Sequence, residues 1–226
     1  MLSVVIPALN AAATLPGTLA SVAEADEIVV VDGGSSDGTV AVAKALGAGV
    51  VTAPKGRGSQ IAAGVAAAQG DWLLLLHADT RMADGWYQLV VPHLTHRLRS
   101  PRERRGEEAY YFRFVLDADD ARARRLERLV AWRCRALALP YGDQGLLIHR
   151  DLLHSVGGIR PLPLMEDVDL VRRLGRRRLI GLDIAAITTA KKWQRQGWYF
   201  RTLRNLFCLS LYFAGVPPRL IVRLYG

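Results

Sequence analysis

Three apolar runs early in the chain end in polar turns. Val4-Val5-Ile6 leads into Pro7–Asn10, Ile28–Val31 into Asp32–Asp37, and Trp72–Leu76 into His77–Asp79. The stretches between them have helical spacing. This pattern predicts strands at Leu2–Ile6, Glu27–Val31, Val50–Thr52 and Asp71–Leu76, and helices at Thr14–Val22, Ser36–Leu46 and Gly58–Ala68. Pro16 fits the first turn of its helix, and Gly47 and Gly49 follow the end of the next. Strands that are apolar throughout, rather than alternating, are covered on both faces. Alternation of strand and helix calls for right-handed crossovers, so the predicted fold class is α/β, with a mostly parallel central sheet flanked by helices. Such sheets bind ligands beyond the carboxyl ends of their strands, which is where the polar turns lie.

After Gln88 the pattern loosens. His96–Glu108 carries five arginines and reads as a solvated loop. Tyr110–Leu116, Gly145–His149 and Ile180–Thr189 read as strands; Asp120–Ala138 reads as a very basic helix and Glu166–Leu174 as a further helix. Trp198–Phe213 reads as an aromatic helix before Pro217-Pro218. No repeat or linker interrupts the chain, and 226 residues suffice for one domain with a sizeable core. A hydrophobic fraction of 50% excludes a disordered chain.

The net charge of +9 favours anionic partners: nucleic acid, lipid head groups or phosphorylated small molecules. The basic residues are dispersed and form no recognisable nucleic-acid module, so nucleic acid is not an expected partner. Cys134 and Cys208 lack metal-ligand spacing and are too few for a disulfide framework, which points to a reducing compartment. The first residues lack the basic region of a signal peptide. The longest uncharged stretch near the end, Leu206–Val216, is eleven residues, short of the roughly 20 a spanning helix needs. These features predict a cytoplasmic protein, soluble or at most peripheral to the inner face of the cytoplasmic membrane.

Several constellations can carry chemistry. Asp32 leaves a strand at the sheet edge, where a carboxylate can accept hydrogen bonds from a base or ribose. Gly33 and Gly34 clear room for a ligand, and Ser35 or Ser36 can cap the next helix. The plainer reading is an ordinary capped turn. Asp79 can hold Mg²⁺ or Mn²⁺ against a diphosphate, with His77 as a neighbouring ligand or a packed imidazole; a helix cap is the plain alternative. Glu166 and Asp167 begin a helix and offer a general base, whereas Asp169 best fits a complement to the helix dipole. Asp143 and Gln144 lie in a turn that can line an acceptor pocket. Lys192 and Trp193 supply a cation and an indole for a charged, stacked ligand, or a basic loop before a helix.

Taken in order, these motifs resemble the family 2 glycosyltransferases of the GT-A fold. Val4–Asn10 resembles that family's opening strand and Pro-x-x-Asn turn, and Val30–Thr39 its Val-Asp-Asp-Gly-Ser-x-Asp-Gly-Thr signature. Gly56–Gln60 resembles its nucleotide-contacting segment. His77-Ala78-Asp79 stands at its metal-binding Asp-x-Asp, Glu166-Asp167 at its Glu-Asp base motif, and Lys191–Gly197 at its Gln-x-x-Arg-Trp segment. The likeness is greatest to a small stand-alone bacterial subgroup with His-Ala-Asp-Thr, Gly-Asp-Gln and Glu-Asp-Val-Asp-Leu motifs. Three positions depart from the pattern: Ala11, Gly33 and His77 each stand where the family usually has an acid.

The resemblance implies a nucleotide-diphospho-sugar transferase with a nucleotide-sugar-binding half at 1–95 and an acceptor half at 109–226 that ends in an amphipathic helix. It implies donor contacts from Pro7, Ala8, Asn10, Asp32, Arg57, Gln60, Ala78, Lys192 and Trp193, and a divalent Mg²⁺ or Mn²⁺ on Asp79. Asp167 would be the base, with Glu166 second in line, and transfer would invert the anomeric carbon. Asp143 and Gln144 fall on the acceptor side. The aromatic last helix and the arginine clusters suggest a lipid-like acceptor and peripheral membrane contact. Burial of that helix on the sheet would explain the same residues without a partner. Two rival functions are a sugar-nucleotidyltransferase, which would need a basic Gly-rich turn absent from Pro7–Thr14, and a non-catalytic binding protein, favoured by the three departures.

Overall fold

The computed structural model describes residues 1–95 and 107–225. In chain order the elements are β1 (Leu2–Ala8), α1 (Leu15–Ser21), β2 (Glu27–Asp32), α2 (Thr39–Ala45), β3 (Gly49–Thr52), α3 (Arg57–Ala67), β4 (Trp72–Leu75), β5 (Thr80–Met82) and α4 (Trp86–Thr95). Then come β6 (Ala109–Leu116), α5 (Ala121–Leu137), β7 (Leu146–His149), α6 (Arg150–Ser155) and α7 (Glu166–Leu174). A 3-10 turn at Arg176–Arg178 leads into β8 (Leu179–Thr188), α8 (Lys191–Gln196), α9 (Trp198–Phe213) and α10 (Pro218–Tyr225). Most of the loop expected over 96–108 lies outside the described residues.

The strands form one sheet in the order β3-β2-β1-β4-β7-β6-β8-β5. The pairs β1–β2, β1–β4, β2–β3 and β6–β8 are parallel, whereas β7 runs antiparallel to both neighbours and β5 antiparallel to β8. The mostly parallel α/β sheet is as expected. The reversed β7 joins the strands of residues 1–95 to those of 109–226.

Period two divides the central strands between two cores. Val4 and Ile6 of β1, with Trp72 and Leu74 of β4, face Leu15, Leu19, Ala43 and Trp86. Val5 of β1 and Leu73 and Leu75 of β4 face Ile61, Val65, Leu152, Leu170 and Val171 on the other side. Because both faces are covered, β1 is buried along its whole length. Arg150 closes the end of α3: its guanidinium donates to the carbonyls of Val65, Ala68 and Gly70 at 2.6–3.1 Å, so the last carbonyls are not left bare.

Two smaller clusters cover the far end. Phe114, Val130, Cys134, Trp193 and Trp198 pack beneath α5, α8 and α9, and Leu164, Met165, Cys208, Leu209 and Ile221 tie α9 and α10 to the start of α7. The final aromatic helix is therefore only partly buried. It contributes Trp198, Arg201, Cys208 and Leu209 to the interior and leaves Tyr199, Phe200, Leu203 and Phe207 exposed.

One close approach fixes the relation between α3 and the segment before α7. Gly58 donates its N–H to the Leu162 carbonyl at 3.1 Å, and a Cβ at Gly58 would lie 2.5 Å from the carbonyl oxygens of both Arg160 and Leu162. Only glycine fits. Gly58→Ala should therefore push 160–162 away and lower stability by about 1–3 kcal/mol, read as a fall in the urea midpoint. An unchanged midpoint would show that the contact is slack.

Candidate active site

The carboxyl ends of β1 and β2 carry loops that are stitched to each other. Asp32 is buried, and its carboxylate accepts from the N–H groups of Gly34 and Ser35 at 3.0–3.2 Å, which shapes the turn. Asn10, in the left-handed region at φ 51°, accepts from the Ser36 N–H at 2.9 Å and donates its own N–H to Ser35 Oγ at 2.8 Å. Asp37 binds Thr39 through its side chain and N–H, and also accepts from Ala12 N–H. The Thr39 hydroxyl bond leads in holding its carboxyl below the usual range. The carbonyl of Ala8 accepts from Gly33 N–H and from the side chain of Gln60.

Gln60 is buried, and its amide nitrogen donates to the carbonyls of Ala8 and Val31 at 2.8 Å each. That nitrogen, expected at the nucleotide, is instead a clamp between two strand ends. A Cβ on Gly33 would fall 2.9 Å from the Gln60 Nε2.

At the end of β4, His77, Asp79 and Asp143 bring their ligand atoms within 4.8 Å of one another. His77 Nδ1 lies 2.5 Å from Asp143 Oδ1. Burial disfavours both charges, yet the mutual bond and charge outweigh it, so His77 is raised and Asp143 lowered from their ordinary values. Asp79 Oδ2 accepts from Lys192 Nζ at 2.7 Å. An imidazole with two carboxylates is a donor set that suits a hard or borderline divalent cation, so these residues fit the expected Mg²⁺ or Mn²⁺. Asp143, expected on the acceptor side, lies beside Asp79 and also lines the cavity described below. Gln144, its neighbour, points inward: it is buried, donates to the Phe112 carbonyl at 3.0 Å and accepts from Arg133 at 2.9 Å. It does not line the cavity described below, contrary to expectation.

Glu166 and Asp167 open α7 behind Met165, whose φ of 66° is unusual for a residue with a side chain. They diverge. The Glu166 side chain is 1% exposed and forms an ion pair with Arg57 at 2.9 Å. Burial raises its pKa to about 7, opposed by the Arg57 charge. Asp167 accepts from Gly142 N–H at 2.8 Å and lines a cavity of about 200 Å³. The cavity wall includes Arg57, Asp143 and Trp193, and is otherwise largely apolar, with Leu126, Trp132, Leu137, Met165, Leu206 and Leu209 among its residues. Trp193 is buried edge-on to Phe114, with Arg201 over its ring. Asp169, expected to complement the helix dipole, is paired with Arg160 and Arg173 at 2.7–2.9 Å. Ala78 and Pro7 lie at the ends of β4 and β1, and the Ala78 carbonyl accepts from Thr18. Residues missed on sequence are Met165 and the α5 lining, whose side chains look like ordinary core.

Residues 3–99 match the family model described as Glycosyl transferase family 2. Over those residues the chain is similar to that family. An uncharacterized glycosyltransferase of Mycobacterium tuberculosis is 40% identical over 93 residues, which are 41% of this chain and 43% of that protein. A PGL/p-HBAD biosynthesis glycosyltransferase of Mycobacterium bovis is 40% identical over 90 residues, 35% of each chain. The chain thus spans less than half the length of these relatives. Among solved structures, glucosyl-3-phosphoglycerate synthase from M. tuberculosis, in complex with Mn²⁺, UDP and glucosyl-3-phosphoglycerate, superposes with a TM-score of 0.60 at 23% identity, covering 96% of this chain and 81% of that one. S. aureus TarS 1–349 superposes at 0.62 with 14% identity, covering 99% and 69%. The fold of the whole described chain is therefore the GT-A fold, and the family 2 match covers β1 to α4.

The buried Glu166 gives a pH signature. Between its ordinary value of 4.5 and about 7, the unfolded chain releases a proton that the folded chain keeps, so stability falls as pH rises through that window and levels off above it. Glu166→Gln carries no such proton. The stability of wild type relative to this variant should drop by up to about 3 kcal/mol between pH 4.5 and 7.5, at about 1.4 kcal/mol per unit. Urea midpoints across that range would show it, and a constant difference would contradict it.

Proposed function

We propose that this chain is a glycosyltransferase that moves a sugar from a nucleotide-diphospho-sugar to an acceptor hydroxyl. The observation that carries this reading is the convergence, at the carboxyl edge of one GT-A sheet, of the Asp32 turn, the His77–Asp79–Asp143 cluster and Asp167 at the rim of a cavity. Support for the donor class comes from glucosyl-3-phosphoglycerate synthase, which has this fold and is solved with Mn²⁺ and UDP. Residues 1–95 and 109–226 act as one unit in this reading, since both halves line the site.

The donor's nucleoside lies against the Asp32 turn, with the Pro7–Asn10 loop beside it, and its diphosphate lies near Arg57, Lys192 and Trp193. His77, Asp79 and Asp143 would hold a divalent cation, which when bound would neutralise charge on the leaving diphosphate. Asp167 is the base because its carboxylate lines the cavity, whereas Glu166 is buried on Arg57 and serves to position that guanidinium. The acceptor O–H passes its proton to Asp167 while its oxygen bonds to the anomeric carbon. The bond from that carbon to the diphosphate breaks on the opposite side, so the nucleoside diphosphate leaves and the configuration inverts.

The acceptor is lipid-like in this reading. Leu129, Trp132, Leu137 and Leu206 line the cavity and are also exposed, so its apolar wall reaches the surface. That surface continues along α9 through Phe200 and Leu203, 65% and 64% exposed, a run that a solitary soluble domain rarely leaves bare. No helix among the described residues is long and apolar enough to cross a membrane, so the contact would be interfacial.

Asp167→Asn and Asp79→Asn should each lower turnover by about 10²–10⁴-fold with the fold intact, measured on a panel of nucleotide sugars with Mn²⁺ or Mg²⁺. A flat response of the wild type across the panel would return the protein to the binding class. Phe200→Ser combined with Leu203→Ser should reduce co-sedimentation with anionic vesicles several-fold, and unchanged binding would remove the membrane contact.

A further inference from the structure

Asp79 is one of the three candidate metal ligands, and a cation already occupies it. Lys192 Nζ lies 2.7 Å from Asp79 Oδ2, and the nearby Asp143 adds to the negative field. A divalent cation and this ammonium cannot share one carboxylate oxygen without strong repulsion at such short range. The other two donors of the cluster are bonded to each other, so Asp79 is the point of entry.

The stem of Lys192 lets it yield. It starts from the first residues of α8, the side chain is 54% exposed, and a four-carbon chain rotates freely. Its neighbour Trp193 is buried against Phe114, so the backbone stays fixed while the ammonium swings.

We propose that Lys192 is an exchangeable internal cation, which neutralises Asp79 until a divalent ion arrives and then moves off it to face the donor's diphosphate. The protein alone therefore binds metal weakly, because the metal has to displace a formed ion pair. The metal and the anionic donor enter as a unit, and the donor supplies the new partner for the lysine. This rests on the nucleotide-sugar reading for the destination of the ammonium, but the competition itself does not.

The test is Mn²⁺ binding to the full chain without any nucleotide, read from the electron paramagnetic resonance signal of free Mn²⁺. Lys192→Met should bind Mn²⁺ about two- to fivefold more tightly than wild type, and Lys192→Gln should do the same. Asp79→Asn placed on the Lys192→Met background should abolish the gain, which assigns it to this cluster. Equal affinity of wild type and both lysine variants would overturn the proposal, as would an absence of binding in all of them at millimolar Mn²⁺. Circular dichroism melts of each variant separate these results from misfolding. Turnover of the wild type is measured apart from this, so a metal gain in the lysine variants with no sugar transfer by the wild type would leave the exchange standing and sink the proposed function.

Discussion

A carboxylate with neither oxygen hydrogen-bonded among the described residues, and with almost no exposure, has to be held by something, and for Glu166 that is the Arg57 guanidinium. Such a pair is poor stabilisation. The cost of removing both charges from water can exceed their attraction, and apolar residues of similar volume often do as well. Its consequence is positional. Arg57 begins α3, Glu166 begins α7, and the Gly58–Leu162 hydrogen bond brings the two starts together. The positive end of α7 offsets part of the cost of a charge there. Once Glu166 is committed to Arg57, the next carboxylate is turned toward Gly142 and the cavity, so the buried pair sets where the second acid of the motif points.

The parts of the fold that could be read from residue order are those in which burial is complete. Continuous apolar runs at β1, β2 and β4 leave no reading other than a strand covered on both faces, and the turns after them carry Asp32, His77 and Asp79 of the candidate site. Pairing direction leaves no such mark. The four residues of β7 look the same whether they run with or against β4, with which they pair antiparallel. The three residues of β5 are too few for a period, and α4 continues past Pro92, which would ordinarily end a helix. At the site, Asp32, Asp79 and Asp167 lie where strand ends and helix starts placed them. Asp143 and Gln144 show the limit: they are adjacent, yet one faces the Asp79 cluster and the other the interior, a difference set by Arg133 and Phe112 from distant elements.

The three departures from the family pattern look different once their surroundings are known. At Gly33 a side chain would collide with the Gln60 amide, which spans two strand-end carbonyls; the missing acid and the clamping glutamine occupy one space. Ala11 packs against the core beside β1 while its N–H donates to Thr39 and its carbonyl starts α1, so the loop is held by main-chain groups rather than by a carboxylate. His77 does not simply lose a charge, because Asp143 reaches its ring from another part of the chain and restores a carboxylate to the cluster. At two of the three positions, 33 and 77, the residue present meets a side chain far away in sequence. Counted one by one, the departures suggest a decayed site; the contacts of 33 with 60 and of 77 with 143 give two of them a definite place in the structure. A single reversion such as Gly33→Asp or His77→Asp would then meet a partner shaped for the present residue, so the family's usual acid would be worse tolerated here than its absence.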